Sequence, residues 1–332
     1  MLHKAPLGRT DMEITRVGFG AWALGGGDWA YAWGPQDDDE AVAAIRYAVE
    51  QGVNWIDTAA VYGLGHSEEV VARAVRELPE ADRPYVFTKC SLVWDEHDRS
   101  VEPHADGSAA SLRRECEDSL RRLGVERIDL WQVHWPPADG TPLEDYWATL
   151  LELKAEGKVR AVGLSNHDTD QLARAEALGH VDTLQPPFSA IHRGAAVDLL
   201  PWCAANGTGV IVYSPMQSGL LTGAFSAERV RRLPDNDWRR GDPDFTEHLP
   251  ANLAVAQALA SVAARHDVPV PAAAVAWTLG FEAVTGAIVG ARRPEQVDGW
   301  RPAATLTFDA EDYATVAGAI EAHGAGEGPV RP

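Results

Sequence analysis

Short apolar runs alternate along the chain with longer segments of amphipathic character. Most of the runs are nearly continuous in apolar residues, which is typical of strands buried on both faces of a parallel sheet. Eight runs of this kind lie at residues 17–22, 53–59, 85–90, 128–134, 159–165, 183–189, 209–215 and 287–291.

The segments between the runs carry helix signals. DDDEAVAAIRYAVEQG opens on acidic residues, and SAASLRRECEDSLRRLG opens on a serine; both close on a glycine. TPLEDYWATLLELKAEGK and DTDQLARAEALG repeat this pattern. Alternation of eight strands with helices predicts an α/β fold, a closed (β/α)8 barrel. We find no internal linker, so we expect a single domain over residues 1–332.

Three kinds of segment fall outside the alternation. LHKAPLGRTDMEI is expected to form a hairpin that plugs the N-terminal mouth of the barrel. Residues 95–107 and 216–250 are expected to be long loops after strands, and loops of such length are usually functional. The tail from Gly324 onward is expected to fray.

Composition and charge narrow the class of protein. The chain of 332 residues is 45% apolar and 23% charged, as in a globular protein, and its net charge of −20 disfavours a nucleic-acid partner. The cysteines (Cys90, Cys116 and Cys203) lack metal-ligand spacing and indicate reduced thiols. Without a secretory leader or an apolar stretch of membrane-spanning length, we expect a cytoplasmic protein with no membrane partner.

Polar side chains stand where the predicted strands end. Asp57, Lys89 and His134 end the second, third and fourth runs, and Tyr62 follows in the loop after the second. Any one of them has an ordinary structural explanation. In a (β/α)8 barrel, however, the carboxyl ends of the strands form one rim, and that rim holds the active site. Four such residues on one rim therefore favour a catalytic site.

The four side chains suit proton delivery to a carbonyl oxygen. A tyrosine has a pKa of about 10, and we expect the Lys89 ammonium to lower the pKa of Tyr62 by stabilising its phenolate. Asp57 would keep the ammonium charged, and His134 would donate a hydrogen bond to the carbonyl oxygen. The missing nucleophile would be a hydride supplied by a cofactor.

Several segments together resemble the aldo/keto reductases, in particular bacterial members close to the general-stress and inositol-locus reductases. They are GVNWIDTAAVYGLGHSEEVVARAV, SLRRLGVERIDLWQVHWP, GKVRAVGLSN, VIVYSPMQSGLLTG and IVGARRPEQVDGW. The resemblance runs from about Leu7 to Ala303. It implies reduction of aldehydes or ketones, small-molecule carbonyl substrates, by a catalytic tetrad of Asp57, Tyr62, Lys89 and His134 in which Tyr62 is the general acid.

The resemblance also implies where a nicotinamide cofactor binds. We expect NADPH rather than NADH, because the guanidinium groups of Arg292 and Arg293 suit a 2′-phosphate. Trp300 departs from the Asn or Glu that relatives often carry, so the adenine end is expected to be held differently. The implied contacts are Ser165, Asn166 and Gln185 around the carboxamide, Tyr213 stacked on the ring, Ser214, Pro215, Gln217, Gly219 and Leu220 over the pyrophosphate, and Gly290, Ala291, Arg292 and Gln296 at the adenosine phosphate.

Aromatic residues crowd the predicted rim. The chain has 12 tryptophans, and an apolar pocket for the substrate is one explanation for those near the strand ends, while ordinary packing is the other. In the helix after Tyr62, we expect Ser67 to be the N-cap, with Glu68 and Glu69 in the first turn. The rim candidates are Trp22, Trp29, Tyr31, Trp33, Trp94 and Trp135, of which Trp22, Trp33, Trp94 and Trp135 are the predicted substrate contacts.

Other functions remain open from the sequence. Lys89 at a strand end is also where a Schiff-base aldolase on such a barrel would place its lysine. A non-catalytic subunit that senses NADPH is a further alternative. A metal-dependent barrel is least favoured, because His97 and His104 lack a ligand pattern.

Overall fold

Eight parallel strands close into a barrel. The computed structural model describes residues 1–27, 29–234 and 237–332. Each predicted run overlaps one barrel strand, so the predicted (β/α)8 fold is confirmed. In order around the barrel, the strands are β3 (Val17–Gly20), β4 (Trp55–Asp57), β5 (Tyr85–Cys90), β8 (Ile128–Val133), β9 (Val159–Ser165), β10 (Thr183–Gln185), β11 (Gly209–Val212) and β12 (Val284–Gly290), which pairs back to β3.

Helices surround the barrel and cover its outer face. Ser108 caps α3 (Ala109–Leu123) by accepting a hydrogen bond from the backbone of Ser111, and Gly124 ends the helix in the left-handed conformation at φ 66°. Among the described residues, no helix is both long and apolar enough to cross a membrane. The helices are α1 (Asp38–Glu50), α2 (His66–Val75), α3 (Ala109–Leu123), α4 (Leu143–Ala155), α5 (Thr169–Leu178), α6 (Leu199–Asn206), α7 (Ala227–Arg231), α8 (Leu249–Arg265), α9 (Val270–Leu279), α10 (Pro294–Trp300) and α11 (Ala310–His323).

The predicted N-terminal hairpin forms and closes the lower mouth of the barrel. Strands β1 (Lys4–Pro6) and β2 (Glu13–Thr15) pair antiparallel. Leu7, Met12 and Ile14 are fully buried in one cluster with residues of the barrel strands. Trp55 fills the space above them, and a Cβ at Gly18 would lie 2.1 Å from its indole ring. Glycine at position 18 therefore makes room for the tryptophan.

The long loops carry more structure than the sequence predicted. Within the segment after β5, β7 (His104–Ala105) pairs antiparallel with β6 (Leu92–Val93). The segment 216–250 contains α7 and three short 3-10 turns, and its last residues already belong to α8. Residues 235–236 of that segment lie outside the described residues.

The prediction that the tail frays from Gly324 is wrong. Arg193, only 2% exposed, donates hydrogen bonds to the carbonyl oxygens of Ala325 at 3.0 Å and Gly328 at 3.3 Å. Ala325 is itself 1% exposed. The contact is made to backbone oxygens, which every residue carries. The sequence of the tail therefore does not indicate that the tail is held in place.

Candidate active site

A buried ion pair lies at the upper rim of the barrel. Lys89, at the end of β5, places its Nζ 2.5 Å from Oδ2 of Asp57, which ends β4. The same ammonium donates to the carbonyl oxygen of Thr58 at 2.9 Å and lies 3.5 Å from the Tyr62 hydroxyl. Lys89 and Asp57 are 1% and 3% exposed, so the pair is removed from water. His134 lies next to this group, because the His134 and Tyr62 rings meet edge to face with centroids 5.6 Å apart.

Burial and pairing act in opposite directions on the charged pair. Burial raises the pKa of Asp57, while the Lys89 ammonium and the hydrogen bond from Gln185 lower it. Burial lowers the pKa of Lys89, and the Asp57 carboxylate raises it. A buried ion pair persists only where each charge has such partners. Each charge therefore depends on the other.

The expected lowering of the tyrosine pKa does not occur. Burial raises the pKa of Tyr62 well above 10, and the Asp57 carboxylate raises it further. The Lys89 ammonium alone would lower the pKa of Tyr62, but Tyr62 has also lost hydration, and the Asp57 carboxylate neutralises the ammonium. Tyr62 is consequently a neutral phenol at physiological pH, with a proton to donate.

His134 is a neutral imidazole for related reasons. Burial lowers its pKa well below 6.5, and the nearby Lys89 ammonium lowers it further. A neutral imidazole carries one N–H donor, which can bind a carbonyl oxygen. The rim at β4, β5 and β8 thus presents two uncharged proton donors beside one ammonium.

Amides and hydroxyls follow on the next strands of the rim. Gln185, which ends β10, donates from Nε2 to Oδ1 of Asp57 at 2.9 Å. Asn166, with φ 62°, donates from Nδ2 to the His134 carbonyl oxygen at 3.0 Å. The Tyr213 hydroxyl donates to Asn166 Oδ1 at 2.7 Å, and the Ser165 hydroxyl donates to the Gln185 carbonyl oxygen at 2.9 Å. These residues form a continuous band beside the ion pair.

The segment from Ser214 through Pro215 to Leu220 turns sharply over this band. Ser214, Gln217 and Ser218 have φ values of 57°, 44° and 50°, and Gly219 follows at 92°. Left-handed backbone in side-chain-bearing residues is uncommon and clusters at ligand sites. The Gln217 side chain donates to Asp244 Oδ2 at 2.7 Å, so that amide secures the loop after β11.

The predicted adenosine-phosphate residues lie at the end of β12 and the start of α10. Gly290 is exposed. The Arg292 guanidinium is already engaged, donating to Gln36 Oε1 at 2.6 Å and to the carbonyl oxygens of Trp33 and Pro35. Gln296 Oε1 accepts from the backbone N–H groups of Arg292 at 2.7 Å and Arg293 at 3.2 Å. The Arg293 residue is exposed.

The donor set of the band fits a nicotinamide dinucleotide. Amide groups suited to a carboxamide and a phenol ring suited to stacking lie beside the ion pair, at the ends of β9, β10 and β11. Guanidinium groups suited to phosphate lie beyond them, after β12. Trp300 is 1% exposed and packs in the hydrophobic core.

The sequence model of the Aldo/keto reductase family matches residues 16–321. The chain belongs to this family of oxidoreductases that act on carbonyl groups. Its relatives include the NADH-specific methylglyoxal reductase of Escherichia coli (strain K12), 35% identical over 89% of this chain and 91% of that protein. The aldo-keto reductase YhdN of Bacillus subtilis (strain 168) is 34% identical over 91% of this chain and 89% of its own length.

A solved structure extends the likeness to three dimensions. The glycerol dehydrogenase AKR11B4 from Gluconobacter oxydans is 36% identical, covers 98% of this chain and 97% of its own, and superposes with a TM-score of 0.89. Aldo/keto reductases use nicotinamide cofactors, which agrees with the donor set of the band.

Several aromatic residues of this aldo/keto reductase lie at the rim near Tyr62. Trp22 stacks against Tyr62 with ring centroids 6.2 Å apart, and Trp33 meets Trp22 edge to face at 5.3 Å. Trp135 is 48% exposed at the rim. Trp94 is partly buried in a cluster with Tyr62 and lies under the Arg122 guanidinium. Of the other rim candidates, Trp29 is buried in this cluster and Tyr31 is exposed.

Sequence reasoning missed a further aromatic contact. Trp238, in the loop after β11, meets Trp33 edge to face at 6.1 Å. The neighbouring Arg239 lies 5.6 Å over the Trp33 ring and donates to the carbonyl oxygen of Ser218 at 3.4 Å. This loop therefore joins the aromatic wall to the turn at Ser214–Leu220. A lone tryptophan in a polar loop was the available signal.

The N-cap prediction for Ser67 is wrong. α2 begins at His66, and its N-cap is Gly65 in the left-handed conformation at φ 97°. Ser67 is buried within the helix and donates from its hydroxyl to the Ala21 carbonyl oxygen at 3.0 Å. Glu68 is fully buried and pairs with Arg122 at 2.6 Å. These residues fasten α2 to its neighbours, which the local capping pattern did not predict.

Among the described residues, no three His, Cys, Asp or Glu side chains are grouped so as to hold a metal ion. His97 lies in the loop where Asp95 accepts hydrogen bonds from the backbone of residues 97 and 98. His104 belongs to β7. The two histidines take part in loop structure.

Proposed function

We propose that this aldo/keto reductase reduces aldehydes or ketones to alcohols with NADPH, and that Tyr62 is the general acid. The observation that carries the proposal is the buried contact of the Lys89 ammonium with both Asp57, at 2.5 Å, and the Tyr62 hydroxyl, at 3.5 Å. Lys89, Asp57 and His134 complete the proposed catalytic residues. The band of Ser165, Asn166, Gln185 and Tyr213 continues from them along the rim.

The proposed chemistry divides between cofactor and protein. A bound nicotinamide supplies the hydride to the carbonyl carbon. Tyr62 donates its phenol proton to the carbonyl oxygen, and the Lys89 ammonium stabilises the resulting phenolate. His134 orients that oxygen with its N–H. Asp57 keeps Lys89 charged in a buried position, where an isolated ammonium would lose its proton.

The choice of NADPH rests on Arg292 and Arg293. The guanidinium of Arg293 is the more accessible one, because that of Arg292 already binds Gln36 and the backbone of Trp33 and Pro35. We propose that Arg293 meets the 2′-phosphate first. The methylglyoxal reductase of Escherichia coli is NADH-specific, so a relative at this level of identity can prefer NADH. NADH binding tighter than NADPH binding would overturn the choice.

The proposed substrate is a small carbonyl compound. Trp22, Trp33, Trp94 and Trp135 are proposed to line its pocket, and apolar walls with few polar groups are usual for such sites. The relatives named above act on methylglyoxal and glycerol, both small and oxygenated. The soluble barrel is proposed to work in the cytoplasm. A panel in which charged carbonyls react faster than aromatic ones would contradict an aromatic pocket.

The aldolase alternative fits the surroundings of Lys89 less well. A Schiff base requires a free amine that the substrate can approach. The Lys89 ammonium donates instead to Asp57 and to the carbonyl oxygen of Thr58, with its side chain 0% exposed. Borohydride treatment with a carbonyl substrate should leave Lys89 unmodified. Covalent trapping at Lys89 would support the aldolase.

The function is tested by following oxidation of NADPH and of NADH separately against a panel of aldehydes and ketones. The panel includes methylglyoxal, an aromatic aldehyde and a charged keto acid. We expect turnover with NADPH and at least one uncharged carbonyl. A protein that binds NADPH but oxidises it with no carbonyl would support the sensing alternative.

A further inference from the structure

Ser91 lies directly beyond β5 in an unusual backbone conformation. Its φ is 75°, in the left-handed region, and the residue is fully buried. Non-glycine residues rarely adopt this conformation unless surrounding contacts hold it. Here the Ser91 hydroxyl donates to the Trp135 carbonyl oxygen at 3.3 Å, and the Ser91 carbonyl oxygen accepts from the Asp106 backbone at 3.1 Å.

A buried carboxyl group from α3 holds the same residue. Oε2 of Glu115 accepts from the Ser91 backbone N–H at 2.9 Å, and Oε1 accepts from the Ser111 hydroxyl at 3.1 Å. Glu115 is 6% exposed. Burying a carboxyl group costs free energy because the group loses its hydration, and the hydrogen bonds from Ser91 and Ser111 offset that cost.

The peptide group between Cys90 and Ser91 connects this contact to the proposed catalytic residues. Its N–H points to Glu115, and its carbonyl oxygen accepts from the His134 backbone N–H at 3.1 Å. A peptide group is planar, so its two ends turn together. Lys89 lies one residue before Cys90. The orientation of this one plane therefore sets the relation between Lys89 and His134.

We propose that Glu115 is a positioning residue, which holds the Cys90–Ser91 peptide group and thereby aligns Lys89 on β5 with His134 after β8. The inference rests on the proposed function, since the reaction provides one of its measurements. Glu115 acts through the backbone and touches neither substrate nor cofactor in this role.

The charge state of Glu115 changes near neutral pH. Burial raises the pKa of its carboxyl group to about 7, against the hydrogen bonds from Ser91 and Ser111. The charged and titratable groups around it are Asp106, which raises the pKa, Arg114, which lowers it, and the Cys90 thiol. Above about pH 7 the Glu115 carboxylate accepts a strong, charge-assisted hydrogen bond from the Ser91 N–H. Below that pH the neutral carboxylic acid accepts a weaker one.

Variants of Glu115 separate this role from a merely structural one. Glu115→Gln can still accept from Ser91 and donate to Ser111, so we expect kcat within about threefold of wild type and no change of kcat with pH near 7. Glu115→Ala should lower kcat by roughly tenfold to a hundredfold, because misplacement of catalytic groups is that costly. Wild type should lose activity as pH falls through about 7.

The chain offers a matched control at the opposite end of the same strand. Oδ2 of Asp129 accepts from the Val86 backbone N–H at 2.9 Å, the same kind of contact as that of Glu115. Asp129→Ala should lower the free energy of unfolding and leave kcat unchanged. If Asp129→Ala lowers kcat as much as Glu115→Ala does, the effect is a general loosening of β5 and the proposal is wrong.

Two further measurements complete the test, and the second of them does not depend on turnover. Ser111→Ala removes a hydrogen bond that lowers the Glu115 pKa, so the activity loss should move to higher pH. The amide NMR signal of His134 should shift in Glu115→Ala and stay in place in Asp129→Ala. If the wild-type protein reduces no carbonyl compound, the proposed function is wrong, and the NMR comparison still tests the positioning role. An unmoved His134 signal, or a kcat and pH profile unchanged in Glu115→Ala, overturns the positioning role.

Discussion

The rim of the barrel has two halves that are built differently. At the ends of β4, β5 and β8, charged and titratable side chains touch one another directly, with the Lys89–Asp57 pair buried and Tyr62 and His134 half-buried. At the ends of β9 to β12, amides and hydroxyls bind mainly to neighbouring backbone or to each other, and the guanidinium groups stand at the exposed end. The first half suits proton chemistry, which requires charge held away from water. The second suits a long ligand with many weak contacts.

Two hydrogen bonds join the halves. Gln185 reaches Asp57 at 2.9 Å, and Asn166 reaches the His134 carbonyl oxygen at 3.0 Å. The halves are therefore coupled, and a change in one should register in the other. Substitutions in each half should separate the contribution of each to catalysis from its contribution to cofactor binding.

The largest effect is expected from Tyr62→Phe. Removing the phenol proton should lower kcat for carbonyl reduction by about 10²- to 10⁴-fold while NADPH affinity stays nearly unchanged, because general acid catalysis contributes that much. Steady-state kinetics and fluorescence titration with NADPH measure the two quantities. Tyr31→Phe is the matched control, since Tyr31 is 52% exposed at the same rim. Unchanged turnover in Tyr62→Phe would remove Tyr62 as the acid.

Lys89→Met should damage both chemistry and stability. It leaves the Asp57 carboxylate buried without its ammonium partner, which typically costs about 3–5 kcal/mol in the free energy of unfolding. Urea denaturation measures the loss. Lys158→Met is the control, because Lys158 pairs with Glu117 on the surface and such pairs contribute less than about 1 kcal/mol. Equal losses in the two variants would contradict the picture of a buried, mutually dependent pair.

Gln185→Ala tests the link between the halves. We expect the Kd for NADPH to rise by roughly tenfold, with a smaller loss of kcat, because the side chain serves the proposed nucleotide site and Asp57 together. Gln132→Ala serves as the control. Gln132 is also buried in the barrel, but its side chain accepts a hydrogen bond from the Thr183 hydroxyl and forms none with Asp57. A change in kcat alone would place Gln185 with the catalytic half.

His167 gives the smallest expected effect, on stability alone. It is buried behind Asn166, with its ring nitrogens 2.8 Å from the Ser165 carbonyl oxygen and the Tyr146 hydroxyl. Burial lowers its pKa to about 4. Because the unfolded chain takes up a proton at about pH 6.5 and the folded one does not, stability falls as pH drops from about 6.5 to 4.

The variant His167→Asn should lose that part of the pH dependence, roughly 3 kcal/mol. Urea denaturation at neutral and at acidic pH measures the difference between variant and wild type. Other acids titrate in the same range, so only this difference is informative. An identical pH dependence in both proteins would show that the folded and unfolded chains protonate His167 at the same pH, and would contradict the lowered pKa.

The sequence predicted the barrel well because strand and helix periodicities are local. It also predicted the positions of Asp57, Lys89 and His134, since the direction of parallel strands places their ends on one rim. It did not predict Glu115 or Arg193. Their contacts join a side chain to backbone groups, and backbone groups are the same whatever the residue.

The tyrosine pKa shows a second limit of sequence reasoning. The sequence predicts that an ammonium group lies beside Tyr62. The direction in which the pKa of Tyr62 shifts, however, depends on burial and on the carboxylate that pairs with the ammonium. Those are properties of the assembled site. Similarly, Arg292 matches a phosphate-binding position in sequence, yet its guanidinium binds Gln36 in the structure.

The most direct test is a crystal structure of the protein with NADP⁺. The two halves should meet at the nicotinamide, with its carboxamide on Asn166 and Gln185, its ring against Tyr213, and the Tyr62 hydroxyl next to the ring's reactive face. A dinucleotide bound elsewhere on the barrel, or a nicotinamide ring remote from Tyr62, would contradict the account.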